Sequence, residues 1–158
     1  MAGNGNFPAV CIAFAIPVLA CLGGCVTPVN HATPSGRVEV TVQGKVGKEL
    51  RAEISNMMLN TGYNVKNSSE SLMVFEKPVQ NVLAAVLYGS QYDSSPAARV
   101  SYSIVETDYL TRVVASFAVV TNPGSAFERV TPMDNNPDTR GFQMRLDEMK
   151  AFLESRGK

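Results

Sequence analysis

The 158-residue chain predicts an α+β fold, a mostly antiparallel five-stranded sheet with helices packed on one face, in the order β-α-β-β-α-β-β-α. Two periodicities and one spacing predict it. Apolar residues alternate at period two around 38–42, 100–104 and 113–119, and recur at helical spacing over 50–58, 79–87 and 142–153. The second and third strands, and the fourth and fifth, are separated by segments too short for a parallel crossover, so each pair reads as a hairpin. No internal repeat divides the chain.

From Arg37, Val38, Val40 and Val42 alternate with Glu39, Thr41 and Gln43, a half-buried strand. Leu50, Ile54 and Met57 or Met58 then mark a helix, and Asn60-Thr61-Gly62 supplies its stop. Strands over 63–67 and 71–76 are joined by Ser68-Ser69-Glu70. Pro78 suits a first helical turn, Val79, Val82, Leu83, Val86 and Leu87 make an apolar face, and Gly89 ends the helix. An exposed loop over 90–97 leads to two long strands, 98–106 and 111–121, connected through Thr107-Asp108-Tyr109. The stretch 122–137 reads as irregular, and Asp138 or Thr139 caps a last helix carrying Phe142, Leu146, Met149 and Leu153.

Charge is unevenly placed along the chain. Fourteen Lys and Arg balance fourteen Asp and Glu, so no net charge recruits nucleic acid or anionic lipid over distance. The 45% hydrophobic and 18% charged shares are those of a globular chain. Every charge falls within 37–158, whereas residues 1–36 carry none. Residues 7–22 form an apolar run broken by Pro8 and Pro17, short of the roughly 20 residues that span a bilayer and matching the apolar region of an export signal. Cys11, Cys21 and Cys25 are the only cysteines, so the body holds neither a disulfide framework nor a thiolate metal site.

The run ends in Leu22-Gly23-Gly24-Cys25, which resembles the lipobox of small Gram-negative bacterial lipoprotein precursors. The likeness covers these four residues and their apolar prelude; Val18-Leu19-Ala20-Cys21 is a weaker competing site. It implies lipidation at Cys25, cleavage before it, and a division into a signal peptide over 1–24, a lipid-anchored flexible tether over 25–36 and one globular domain over 37–158. Gly23 and Gly24 would let a peptidase seat an extended backbone without side-chain obstruction. Val26 stands where inner-membrane retention usually shows Asp, which implies the outer membrane, with the body in the periplasm or at the cell surface. The tether is uncharged, holds Pro28, Pro34 and Gly36, and reaches at most roughly 35 Å. His31, the single histidine, is expected to be solvated within it.

The third and last strands are apolar on both sides, so with one set turned to the helices, Met73, Phe75, Val114 and Val120 are left as a candidate partner surface. A covering helix or loop is the competing reading of the same residues. Gly44-Lys45-Val46-Gly47-Lys48 lies between strand and helix, yet its glycine spacing and the following Glu49 depart from a phosphate loop, so a plain turn is expected. Glu106 and Asp108 flank a hairpin turn, where carboxylates face water rather than do acid–base work. Tyr88, Tyr92, Tyr102 and Tyr109 gather near the 90–97 loop, which with 122–137 is where recognition is expected. No Ser-His-Asp or Cys-His nucleophile can be assembled, and neither a cofactor, a metal nor a small-molecule ligand is indicated. The expectation is a non-catalytic, outer-membrane lipoprotein that binds an envelope protein partner or serves assembly and can be antigenic. The alternative is a periplasmic cell-envelope enzyme acting on peptidoglycan or lipid.

Overall fold

The computed structural model describes residues 28–79 and 96–156. Within them the chain runs β1 (Glu39–Gln43), α1 (Gly47–Asn60), β2 (Asn64–Ser68), β3 (Leu72–Pro78), β4 (Ala97–Glu106), β5 (Leu110–Thr121), β6 (Arg129–Pro132) and α2 (Thr139–Arg156). The fold is α+β, and every strand pairing among the described residues is antiparallel. The helix expected after Pro78 and most of the 90–97 loop lie outside the described residues. Pro78 itself closes β3 opposite Ala97, at a strand end where a missing N–H interrupts no interior ladder.

Helix α1 buries Leu50, Ile54 and Met58, one side of the helix at three- to four-residue spacing. It stops at Gly62, whose φ of +84° suits a residue without a Cβ. The Gly62 N–H donates to Leu59 O at 3.0 Å and the Tyr63 N–H to Met58 O at 3.0 Å, the paired bonds of a Schellman ending.

The described sheet has six strands rather than five. Their order is β1-β5-β4-β3-β2, with β6 also paired to β5. Strand β6, Arg-Val-Thr-Pro, is exposed at all four positions and shows no alternation, so no hydrophobic pattern announces it. It exists because β5 is twelve residues long and β1 pairs only its first part, Leu110 to Val114. Strand β6 continues the same side, pairing Ala118 to Thr121. Between them the Ala115 N–H donates to Val38 O at 2.8 Å, and the Phe117 N–H to Asp134 Oδ1 at 2.7 Å. A side-chain carboxylate thus fills the gap in a split outer strand.

The core lies between the sheet and the two described helices: Val38, Val40 and Val42, the α1 stripe, alternate residues of β3, β4 and β5, and Leu146 and Leu153 of α2. Register decides which residues of β3 enter it. Met73 lies opposite Tyr102 and Phe75 opposite Val100, while Tyr102 and Val100 lie opposite Ala115 and Phe117. Met73 and Phe75 are therefore fully buried on the helix side, with Phe75 edge-on to Tyr102 at a centroid separation of 6.0 Å. This corrects the candidate partner surface: Met73, Phe75 and Val120 are all buried, and only Val114 is half-exposed. Leu72 and Val74, not Met73 and Phe75, share the open face with Val114 across Ser101, Ser103 and Ser116.

Candidate functional site

The richest polar constellation lies where residues 28–36 meet the β6–α2 connection. Segment 28–36 is docked against the domain. Val29 is 6% exposed and His31 8%. The Val29 N–H donates to Asn135 O at 2.9 Å, and the His31 N–H to Gly36 O at 3.1 Å. Gly36 adopts φ +70°, and a Cβ there would press on Asn30 Oδ1 at 2.6 Å, so both backbone and space call for glycine. Next along the chain, Arg37 Nε donates to Asp134 Oδ2 at 3.2 Å. Asp134 therefore holds Arg37 with one oxygen and the β5 backbone with the other. A cleft of about 600 Å³ opens between the two segments, with Pro28, Asn30, Arg37 and Asn135 among its lining residues.

His31 corrects the expectation of a solvated histidine. Its Nε2 lies 2.9 Å from Thr139 Oγ1. The Thr139 hydroxyl donates to Asn136 O at 2.7 Å, so its proton is committed and the hydrogen between the two side chains belongs to the imidazole Nε2. Burial first, and then the Arg140 charge, hold the imidazole below its ordinary pKa of 6.5. Its place at the first residue of α2, the positive end of the helix dipole, acts in the same direction.

A second polar cluster occupies the open face of the sheet. Arg99 on β4 meets Glu76 on β3 at 2.5 Å and Glu128 at 2.7 Å, and Lys66 on β2 meets Glu76 at 2.8 Å. Glu128 also accepts the Gly124 N–H at 2.8 Å, so the network ties the 122–128 loop across the sheet. That backbone bond and the Arg99 guanidinium lower the Glu128 carboxyl to about 2. Glu39, buried on β1, is held below its usual value chiefly by Arg112, whose Nε donates to it at 2.7 Å. These displaced carboxylates are each matched by guanidinium and backbone donors that join separate elements, which is an architectural use of charge.

The lipobox residues Leu22, Gly23 and Gly24 and the lipidation candidate Cys25 lie outside the described residues, as do Cys21, Tyr88 and Tyr92. Tyr102 and Tyr109 do not form one surface. Tyr102 is buried, its hydroxyl 3.4 Å from the Met58 sulfur and its ionisation pushed upward by burial, whereas Tyr109 is exposed in its turn. Glu106 and Asp108 are both exposed, as expected of a turn. Glu106 adds something unforeseen, because its carboxylate lies over Gly47 at the start of α1, where a Cβ would collide with it. The chain's own anion thus occupies the helix start beside Gly44-Lys48, while Thr111 Oγ1 donates to Gly44 O and accepts the Val46 N–H. The docked segment was the feature that sequence reasoning missed. Its signals were Val29 among polar neighbours and a glycine five residues after the lone histidine, both too weak to predict docking.

No protein-family model and no curated protein matches the chain.

Proposed function

We propose that the chain is an outer-membrane lipoprotein, anchored through lipid on Cys25, whose body serves a non-catalytic binding or assembly role in the envelope, in the periplasm or at the cell surface. The observation that carries this reading is the abrupt compositional boundary. An uncharged apolar leader ends in Leu22-Gly23-Gly24-Cys25, and every one of the 28 charges follows at or after Arg37. Among the described residues, Glu39 and Glu128 are lowered by ion pairs and backbone donors that join separate elements, so these two carboxylates serve the architecture of the body. The partner implied is an envelope protein, with the membrane engaged through the anchor.

Intact mass of the protein extracted from membranes of its native host tests the reading. A mass equal to residues 25–158 plus acyl chains is expected, and a Cys25→Ala variant should lose the acyl mass and leave the membrane fraction. A full-length unmodified mass overturns the anchor and the localisation together.

A further inference from the structure

We infer that segment 28–36 acts as a docked arm rather than a spacer, and that it holds the β1/β6 edge of the sheet against the headgroup surface of the membrane carrying Cys25. This rests on the anchor proposed above and adds an orientation to it. A free tether ending at residue 36 would let the body wander through roughly 35 Å with any face turned to the lipid. The arm removes that freedom. Val29 is buried and bonded to Asn135, His31 is buried and bonded to Thr139, and Arg37 is clamped by Asp134. Only Val26 and Thr27 separate Cys25 from Pro28. Three residue steps span at most about 10 Å.

The face that must therefore lie nearest the lipid is the one where the arm docks. Sheet order places it at one extreme: β1 and β6 share the outer side of β5, and β2 is the opposite edge, four strand spacings or roughly 19 Å away. The chemistry of the near face suits a polar interface. Pro28, Asn30 and Asn135 carry no charge and Arg37 is paired with Asp134, while Arg129, Asp138 and Arg140 are exposed beside them; what brings this face to the lipid is the short link to Cys25 rather than charge. Apposition by this face needs no anionic lipid, so it should persist in purely zwitterionic bilayers and at high salt.

Residues 26–158 contain no cysteine, and lipidation consumes the Cys25 thiol, so one introduced thiol can be labelled selectively in the processed protein. Asn135→Cys reports the near face, and Asn67→Cys on β2 the far edge; both positions are exposed. Each is labelled with a fluorophore and reconstituted into phosphatidylcholine vesicles containing a headgroup quencher. Quenching several-fold stronger at 135 than at 67 is expected, with little change in 0.5 M salt. A twelve-residue Gly-Ser insert between Thr27 and Pro28, with an r.m.s. span of about 19 Å, should erase the contrast while leaving the fold intact. Equal quenching at both positions in protein whose mass shows a lipidated Cys25 overturns the docked-arm inference and leaves the anchor standing. A contrast that survives the insert also overturns it, because the face would then bind lipid by itself. An unlipidated mass removes both readings.

Discussion

Two glycines of this chain carry opposite consequences for the same substitution. Gly36 sits at φ +70° against Asn30, so Gly36→Ala should destabilise the domain by about 1–2 kcal/mol and loosen the arm, read as a lower Tm. Gly141 lies in the first turns of α2 with nothing within 4 Å of a built Cβ, so Gly141→Ala should stabilise by about 0.5–1 kcal/mol. Two titrating groups add a dependence on pH, and both have folded values below their ordinary ones. The Glu128 contribution is present above its ordinary value of 4.5 and is lost as pH falls through about 2, so the Gly124 amide should lose hydrogen-exchange protection, measured against its intrinsic rate, across that window. Burial and the Arg140 charge disfavour the imidazolium of docked His31, so the arm is most stable above pH 6.5 and weakens as pH falls below it; His31→Gln should flatten that dependence in thermal melts.

At the scale of elements, the two sheet edges are managed differently. The outward backbone of β1 is met by side chains of α2. Gln143 Oε1 accepts the Glu39 N–H at 2.9 Å, Gln143 Nε2 donates to Glu39 O at 3.0 Å, and Glu154 accepts the Gln43 N–H at 3.3 Å. Gln143 thus stands in for one residue of a neighbouring strand. Gln143→Ala should cost about 1–3 kcal/mol and open the edge to self-association, visible as a concentration-dependent sedimentation coefficient. The β2 edge is protected by other means, with five exposed residues, Lys66 among them, and a register shift between Val65 and Asn67. The alternation of Val38, Val40 and Val42 and the helical spacing of Leu50, Ile54 and Met58 were legible in sequence because each element has one apolar side, so period alone assigns its face. Strand β3 was not legible in this way, since Leu72-Met73-Val74-Phe75 offers two equally apolar sides.

For the whole molecule, the split outer strand joins the first and last of the described residues into one structure. Residues 28–37, β1, the 133–139 connection and α2 are linked through Asp134, Asn135 and Thr139, so the arm is part of the domain's outer side. Asp134→Asn should keep the bond to the Phe117 N–H through its amide oxygen while losing the Arg37 pair, and should raise amide exchange at Val29 more than in the core. The sequence by itself determined the fold class, the strands and helices with one apolar face, the turn at Gly62 and the boundary between an uncharged N-terminal stretch and a charged body, because periodicity, turn chemistry and composition are local properties. The tertiary structure alone decided the parity of β3, the existence of β6 and the docking of the arm. Pairing register selects between two faces that sequence leaves equivalent, a strand without alternation forms only where a longer neighbour leaves backbone groups unpaired, and a histidine is buried only where a threonine more than a hundred residues away takes its hydrogen bond.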